Sequence, residues 1–168
     1  MEALQAIMTR RSVRKYTDKP VSEDTVKKLL DAAVAAPSAH NKQPWHFIVI
    51  RDRVTLRKIP EYHQYSKMLE SAALAVVVCA DSKVQETDFW IEDCSAATEN
   101  MLIAANAMGL GAVWLGVHPS RQLMEDTRRL LGIPDHVNPL CIVSLGYPLE
   151  QKPPRQNYNP ERVHSNRW

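Results

Sequence analysis

Three guanidinium groups and one hydroxyl fall within five consecutive residues, in the run Arg10-Arg11-Ser12-Val13-Arg14. Arginine forks bind phosphate oxygens through two parallel hydrogen bonds, and a serine hydroxyl supplies a further donor. The run therefore indicates a phosphate-binding segment directly after a short helix. A solvated basic turn without a ligand is the alternative that this run alone leaves open.

A second polar run, PSAHNKQPW, begins at Pro37 and has a proline near each end. Ser38, Asn41 and Gln43 carry hydrogen-bond donors and acceptors but no charge, which suits the edge of a planar heterocycle. Because a loop held rigid at the end of a strand is a common place for a ligand, we expect this loop to contribute to a binding site. The alternative is an ordinary helix-to-strand connection that is rich in turn-forming residues.

Several common site motifs are missing from the sequence. Gly109-Leu110-Gly111 follows a predicted helix, and Trp114 stands where a dinucleotide fingerprint needs its third glycine. We therefore interpret these glycines as a helix cap and a point of close packing. The chain contains neither a G-K-[ST] phosphate loop nor a G-x-S-x-G nucleophile elbow. Its six histidines show no H-x-x-x-H or H-E-x-x-H spacing, so we expect no metal site.

The overall charge excludes some classes of partner. The 168 residues include 21 Lys and Arg against 19 Asp and Glu, a formal net charge of +2. This balance supplies no field for nucleic acid or anionic membranes, and no segment has the character of a membrane span or a signal peptide. We expect one soluble globular domain. Cys79, Cys94 and Cys141 lie in apolar stretches and are predicted to be buried thiols, typical of a reducing cytoplasm.

The elements that position these residues follow from apolar spacing and capping signals. Helices are predicted over Glu2 to Thr9, over Glu23 to Ala36 with Ser22 as its cap, and from the cap Ser120 to Leu131. Strands are predicted over residues 46–50, 74–80, 112–117 and 140–145. Four prolines follow Tyr147 and exclude regular structure, so the tail is either loose or laid across another surface.

The segment from Asp88 to Met108 is predicted to form a long helix with apolar residues on nearly every face. Such a helix must be buried on more than one side. It can lie beneath the sheet of its own chain, or it can pack against a partner subunit. The pattern by itself favours neither arrangement.

Four motifs together resemble the nitroreductase-like, FMN-dependent oxidoreductases. They are R-R-S-x-R-x-Y from Arg10, P-S-x-x-N-x-Q-P-W-x-F from Pro37, GAVWLG from Gly111 and G-Y-P from Gly146. The resemblance covers essentially the whole chain. It implies an α+β fold in which a central, mostly antiparallel sheet is flanked by helices, with a long central helix at a homodimer interface. Residues 1–147 then form one FMN-binding domain, and residues 148–168 form a proline-rich arm that packs on the partner subunit.

The resemblance also implies which residues hold FMN between the two protomers. A lysine near N1 and O2 of the flavin stabilises the anionic reduced form and raises its potential, and a backbone N–H lies near N5. No side chain is implied as an obligatory acid or base. The implied contacts are Arg10, Arg11, Ser12, Arg14 and Arg155 at the phosphate and ribityl chain; Pro37, Ser38, Ala39 and Asn41 from the opposite subunit; Gln64 and Lys67 at the pyrimidine edge; and Trp114, Leu115 and Gly116 along the ring.

Two positions depart from the family pattern, because Ala39 stands where a serine is common and Gln64 stands where asparagine is frequent. Neither change removes flavin binding. The segment from Val84 to Thr87 is short at a place where selective relatives carry a lid insertion, which predicts an open pocket.

The activity that the resemblance implies is a ping-pong oxidation. NAD(P)H reduces the flavin and leaves, and a small acceptor such as a nitroaromatic or a quinone then binds. Two alternatives stay open. One is a specialised flavoprotein of the same fold, flavin-consuming or reductively dehalogenating, and the other is a flavin-binding dimer without steady turnover.

Overall fold

The centre of the fold is an antiparallel sheet of four strands in the spatial order β1-β2-β4-β3. The computed structural model describes residues 1–150, 152–154 and 158–168. β2 and β4 lie in the middle of the sheet, and β2 is almost continuously apolar because protein covers both of its faces. The strands are β1 (Trp45–Ile50), β2 (Leu74–Asp81), β3 (Gly111–Gly116) and β4 (Val137–Gly146).

The described residues form five α-helices around the sheet, and two of these helices begin at the serine caps that the sequence predicts. The Ser22 hydroxyl accepts the Thr25 N–H, and the Ser120 hydroxyl accepts the Leu123 N–H. The helices are α1 (Ala3–Thr9), α2 (Glu23–Val34), α3 (Arg53–Tyr62), α4 (Trp90–Ala107) and α5 (Arg121–Leu131).

The sheet separates two apolar cores, because successive side chains of a strand point to opposite faces. On one face, Val76 and Val78 of β2 pack with residues of α2 and α4. On the other face, Val77 packs with residues of α3, including Leu56 and Ile59. The predicted α+β architecture with a mostly antiparallel sheet is therefore confirmed, and the sheet formed by the described residues is antiparallel throughout.

Most of the long helix is buried within its own chain. α4 lies against the sheet and is flanked by α1 and α2. The side-chain amide of Asn100 donates to Ala32 O of α2 at 3.1 Å, and that of Asn106 donates to Ala6 O of α1 at 2.8 Å. Intrachain packing therefore explains several apolar faces. Between α1 and α2 a stripe of α4 remains only half-buried, and it includes Ser95, Ala96, Glu99 and Ile103.

The three cysteines are free and buried, as the sequence predicts. Burial raises the pKa of all three thiols, to about 12 for Cys79 and Cys141, so none is a ready nucleophile. Over the described ranges, no helix combines the length and the apolar character that crossing a bilayer requires. Those same residues bring no three His, Cys, Asp or Glu side chains together as metal ligands.

Candidate cofactor-binding groove

Residues 10–16, here named the basic segment, run along the outer edge of β3. The Val13 N–H donates to Ala112 O at 2.9 Å, beside a parallel bridge to that strand. At the other end of the segment, the Thr17 N–H donates to Tyr147 O at 2.9 Å. The backbone that carries the predicted phosphate ligands is therefore fixed at two points on the sheet.

Two glycines allow the basic segment to lie this close to the sheet. Gly111 and Gly146 face each other in the β3–β4 ladder. A Cβ at position 111 would lie 2.6 Å from Cγ1 of Val13, and one at position 146 would lie 2.9 Å from Cδ1 of Tyr16. Carbon atoms pack at about 3.5–4.0 Å, so any side chain at either position would displace the segment. The sequence-based interpretation of Gly111 as a point of close packing is confirmed.

The buried phenol of Tyr16 stabilises the turn of the basic segment through hydrogen bonds. Its hydroxyl donates to Val13 O at 2.8 Å and accepts a hydrogen bond from the Ser144 hydroxyl at 3.0 Å. Burial raises the pKa of Tyr16 to about 12, so the phenol keeps its proton and its donor role at neutral pH. Arg14 lies between Val13 and Tyr16 and is thus carried by a rigid turn.

The cations of the basic segment surround a cavity of about 370 Å³, here named the phosphate cavity. Arg10 pairs with Glu99 at 3.1 Å, and a guanidinium nitrogen of Arg11 donates to Pro153 O. Arg14 is exposed and makes no hydrogen bond or ion pair with any described residue. Its five N–H donors are therefore available to a ligand. The cavity is lined by Ile7, Met8, Arg10, Arg11, Ser12, Arg14, Lys152 and Tyr158.

A larger cavity of about 930 Å³, here named the ring cavity, adjoins the first. Arg14 lines both, so the two cavities meet at this side chain, and together they are here named the groove. Its wall contains two cations, Arg14 and Lys67, together with aromatic and apolar side chains. The lining residues are Arg14, Tyr62, His63, Gln64, Tyr65, Lys67, Met68, Trp114, Leu115, Gly116, Ser120, Gln122 and Leu123.

Two elements form walls of the ring cavity. One wall is the turn after α3, where the Ser66 N–H donates to His63 O and the Leu69 N–H donates to Ser66 O. This turn presents the two predicted residues Gln64 and Lys67. The other wall is the end of β3, with the predicted residues 114–116. A ligand with a phosphate at one end and a planar ring at the other fits this groove, because donors lie at one end and an aromatic wall lies at the other.

Residues 37–43, here named the polar loop, lie elsewhere. Among the described residues that line the two cavities, none belongs to this loop. The Ala39 N–H donates to Oδ1 of Asp93 on α4 at 2.7 Å. Asp93 is 4% exposed, and its Oδ2 accepts a hydrogen bond from the buried Gln85 amide at 3.2 Å. The polar loop thus forms a separate, rigid polar surface of the same chain.

Part of the lining of the ring cavity was not expected from the sequence, and one expected residue, Arg155, lies outside the described ranges. The additional lining residues come from the end of α3 and the turn after it, which were not predicted, and from the start of α5; they are Tyr62, His63, Tyr65, Met68, Ser120, Gln122 and Leu123. A usable signal for α3 was present, because Asp52 caps that helix by accepting the Thr55 N–H at 2.8 Å.

Comparison with known proteins identifies the family. A family model described as the nitroreductase family matches residues 7–75 and 62–147 of the chain. The chain belongs to the nitroreductase family. The sequence resemblance and the predicted nitroreductase-like fold are thereby confirmed.

Nitroreductase-family relatives cover nearly the full chain. A protein of Methanothermobacter thermautotrophicus, provisionally named NADH dehydrogenase/NAD(P)H nitroreductase, is 48% identical over 169 residues, which cover 100% of this chain and 88% of that protein. A crystal structure of the same provisional name from Parabacteroides distasonis has a TM-score of 0.96 at 42% identity, covering 99% of this chain and 98% of that one. A provisionally named nitroreductase from Desulfovibrio desulfuricans, solved in complex with FMN, has a TM-score of 0.86 at 30% identity and covers 100% and 98% of the two chains.

Proposed function

We propose that this nitroreductase-family oxidoreductase binds FMN along the groove and takes electrons from NAD(P)H. The observation that carries the proposal is the position of Arg14, which lines both cavities and so places the phosphate end of the site beside the ring end. The phosphate end has unpaired donors and the ring end has an aromatic wall, as a flavin mononucleotide requires. The FMN complex of the Desulfovibrio relative and the nitroreductase name of the Methanothermobacter relative support the assignment.

Each wall of the groove has a separate task in this proposal. Arg10, Ser12 and Arg14 bind the phosphate through charge-assisted hydrogen bonds, with Arg11 beside them. Lys67 places a positive charge at the pyrimidine edge, where it favours the anionic reduced form over the neutral oxidised form. Residues 114–116 cover the ring, and Gly116 leaves space for its close approach.

When bound, FMN would supply the redox chemistry of this proposal, which is hydride transfer from NAD(P)H followed by electron transfer to an acceptor in ping-pong order. The chain contributes orientation and charge to this cycle. Tyr65 is 71% exposed at the mouth of the ring cavity, which supports an open site for small, electron-poor acceptors such as nitroaromatics or quinones. We also propose a cytoplasmic location, because the chain keeps three unpaired thiols.

We further propose that the working unit is a homodimer that shares its FMN sites. α1 exposes Leu4, Ile7 and Met8 at 77%, 50% and 63%, beside the half-buried stripe of α4. Exposed apolar side chains beside a half-buried helix face are typical of a subunit interface. Pairing across α4 brings Pro37, Ser38, Ala39 and Asn41 of the polar loop to the neighbouring groove. Residues 148–150 and 152–154 lie against the basic segment of their own chain, where the Leu149 N–H donates to Lys15 O and Nζ of Lys152 donates to Ser12 O. Within the predicted arm of residues 148–168, the part that we propose to pack on the partner is therefore residues 158–168.

Cofactor identity is the first test. The purified protein is heated, and the released cofactor is separated by chromatography and identified by mass. Stoichiometric FMN is expected, followed by anaerobic bleaching with NADH or NADPH and reoxidation by an acceptor panel. Stoichiometric FAD, or a protein that binds no flavin after incubation with FMN, contradicts the proposal.

The role of Lys67 is tested through the flavin potential. Lys67→Ala should lower the midpoint potential and slow reduction by NAD(P)H, because the lost charge acts more on the reduced anion than on the oxidised ring. Lys58→Ala is the matched control, since Lys58 is exposed on α3 and lines neither cavity. Equal flavin midpoint potentials in both variants would show that Lys67 does not raise the potential of the flavin.

The dimer is tested on the stripe of α4. Ile103 is half-buried there, whereas Ala104 packs against the core of its own chain and Ala97 is fully buried in that core, so changes at these two alanines would report only on folding. Ile103→Arg should lower dimer and FMN content together, because it buries an unpaired charge. Deleting residues 155–168 should weaken both as well. Glu125→Arg on α5 is the control, and sedimentation at protein and flavin wavelengths measures both quantities. A monomer with native FMN affinity contradicts the shared site.

A further inference from the structure

His63 lies between the two walls of the ring cavity. Its side chain is 3% exposed, and its Nε2 lies 2.9 Å from the carbonyl oxygen of Gly116. Because a carbonyl oxygen can only accept, the bond requires the imidazole proton on Nε2. This hydrogen bond joins the turn that carries Gln64 and Lys67 to the end of β3.

The backbone of His63 is fixed on both sides. Its N–H donates to Ile59 O at 3.0 Å and so completes the last turn of α3. Its carbonyl oxygen accepts two hydrogen bonds from Ser66, one from the N–H at 3.0 Å and one from the hydroxyl at 2.7 Å. The imidazole therefore projects from a rigid base and can hold another element in place.

The peptide group that the imidazole holds lies at the end of β3. β3 ends at Gly116, which is exposed and has no side chain to pack. Gly116 O accepts from His63, and the next N–H, that of Val117, donates to Leu140 O at 3.1 Å. Since the peptide group is planar, two hydrogen bonds on its opposite sides fix its rotation. Glycine has the widest backbone freedom of any residue, so this position needs such a restraint.

We propose that His63 is a positioning residue of the flavin site. It fixes the Gly116 peptide against the turn that carries Lys67, and so sets the geometry of the chain at the ring edge. This inference rests on the proposed FMN-dependent function. Loss of the donor should affect electron transfer more than FMN affinity, because the phosphate contacts lie at the other end of the groove.

Two variants of His63 distinguish the effect of losing the N–H donor from the effect of losing the imidazole ring. His63→Gln keeps an N–H donor at nearly the position of Nε2, whereas His63→Leu fills a similar volume without any donor. Nδ1 of His63 is buried and has no partner among the described residues, so neither change removes a second hydrogen bond. Rescue by glutamine is therefore specific to the bond with Gly116.

The loaded protein is measured first. H63L should shift the flavin midpoint potential and slow flavin reduction by about tenfold, as expected for small misplacement of a reacting group, while the Kd for FMN changes less than about threefold. H63Q should match the wild type in all three quantities. A wild-type potential and rate in H63L, or equal defects in H63Q and H63L, would overturn the role of the donor.

The protein without flavin supplies an independent measurement. NMR of the wild type should find the imidazole proton on Nε2, and hydrogen exchange at the Val117 amide should be faster in H63L than in the wild type. A proton on Nδ1, or unchanged exchange, overturns the inference even where FMN binding is normal. Failure of the wild type to bind FMN overturns the proposed function instead. If H63L does not fold, the wild-type proton position decides the question.

Discussion

The basic segment and the polar loop reach their shapes in opposite ways. No residue of the basic segment has a positive φ, and the space that it needs comes from Gly111 and Gly146 on the neighbouring strands. The polar loop contains no glycine, yet His40, Asn41 and Gln43 have φ values of 54°, 54° and 50°. The basic segment is thus accommodated by small residues on the neighbouring strands, whereas the polar loop has a strained backbone.

The two segments are therefore destabilised by different kinds of substitution. The basic segment is sensitive to any atom added on the sheet beneath it, because the contact is already at van der Waals distance. The polar loop is sensitive to the loss of hydrogen bonds that hold its left-handed residues, since each such residue costs about 1–3 kcal/mol and needs support from its surroundings. Asp93 supplies that support through the Ala39 N–H.

The largest effect is expected from Gly111→Ala. The new Cβ would lie 2.6 Å from Cγ1 of Val13, so the free energy of unfolding should fall by about 3 kcal/mol, the upper range for overpacking, and FMN affinity should fall with it. Gly109→Ala is the control, because its φ is +76° but open space surrounds its Cβ. It should cost only about 1 kcal/mol of left-handed strain. Denaturant unfolding measures the free energy of unfolding of both variants. Equal losses of stability in the two variants would contradict the close-packing explanation.

A smaller effect is expected from Arg14→Ala, which removes ligand contacts and leaves the fold unchanged. The Kd for FMN should rise by about ten to one hundredfold, the value of one charge-assisted hydrogen bond. Lys15→Ala is the matched control, since Lys15 is exposed and lines neither cavity. Titration of the apoprotein measures both. Equal affinities of the two variants for FMN would indicate that Arg14 lies in a solvated basic turn and does not contact the phosphate.

Asp93→Ala should release the polar loop without disturbing the basic segment. It leaves the Ala39 N–H and the Gln85 amide without their acceptor, which should lower the free energy of unfolding by about 1.5 kcal/mol. Hydrogen exchange should become faster at the Ala39 amide and stay unchanged at the Val13 amide. Glu92→Ala is the control, because Glu92 is exposed in the same turn of α4. Unchanged exchange at Ala39 would exclude Asp93 as the support.

The smallest effect is expected within the polar loop itself. His40→Gly removes left-handed strain at φ 54° and should raise the free energy of unfolding by up to about 1 kcal/mol. Lys42→Gly is the control of opposite sign, because Lys42 has an ordinary φ of −71°. This variant should lower the free energy of unfolding by about 0.5–1 kcal/mol. Thermal unfolding measures both. Destabilisation by His40→Gly would show that the loop is not strained at this residue.

Elements with a clear period and a cap were predictable from the sequence. α2 begins after Ser22 as expected and ends at Val34, two residues before the predicted end. The helix predicted from Asp88 to Met108 is observed as Trp90–Ala107. In these helices the local signals and the tertiary packing agree, so neither overrides the other.

Elements whose local signals conflict were missed or shortened. α3 contains Pro60, which argues against a helix, although its apolar residues Leu56 and Ile59 are fully buried against the sheet. β4 begins at Val137, three residues before the predicted start. Pro139 interrupts its apolar run, and it lies beside a bulge of β4, because Val78 and Cys79 of β2 pair with Cys141 and Pro139 and leave Leu140 unpaired with β2.

The guanidinium groups, the polar loop and the W-L-G end of β3 can all be identified in the amino-acid sequence. The fold was needed to show that Arg14 lines two cavities, that Gly111 and Gly146 admit the basic segment, and that no described lining residue of the two cavities belongs to the polar loop. The contacts at the site join residues that are far apart along the chain. Val13 meets Gly111 and His63 meets Gly116 because the strand order β1-β2-β4-β3 brings β3 beside segments that are remote in sequence, and local spacing carries no information about such contacts.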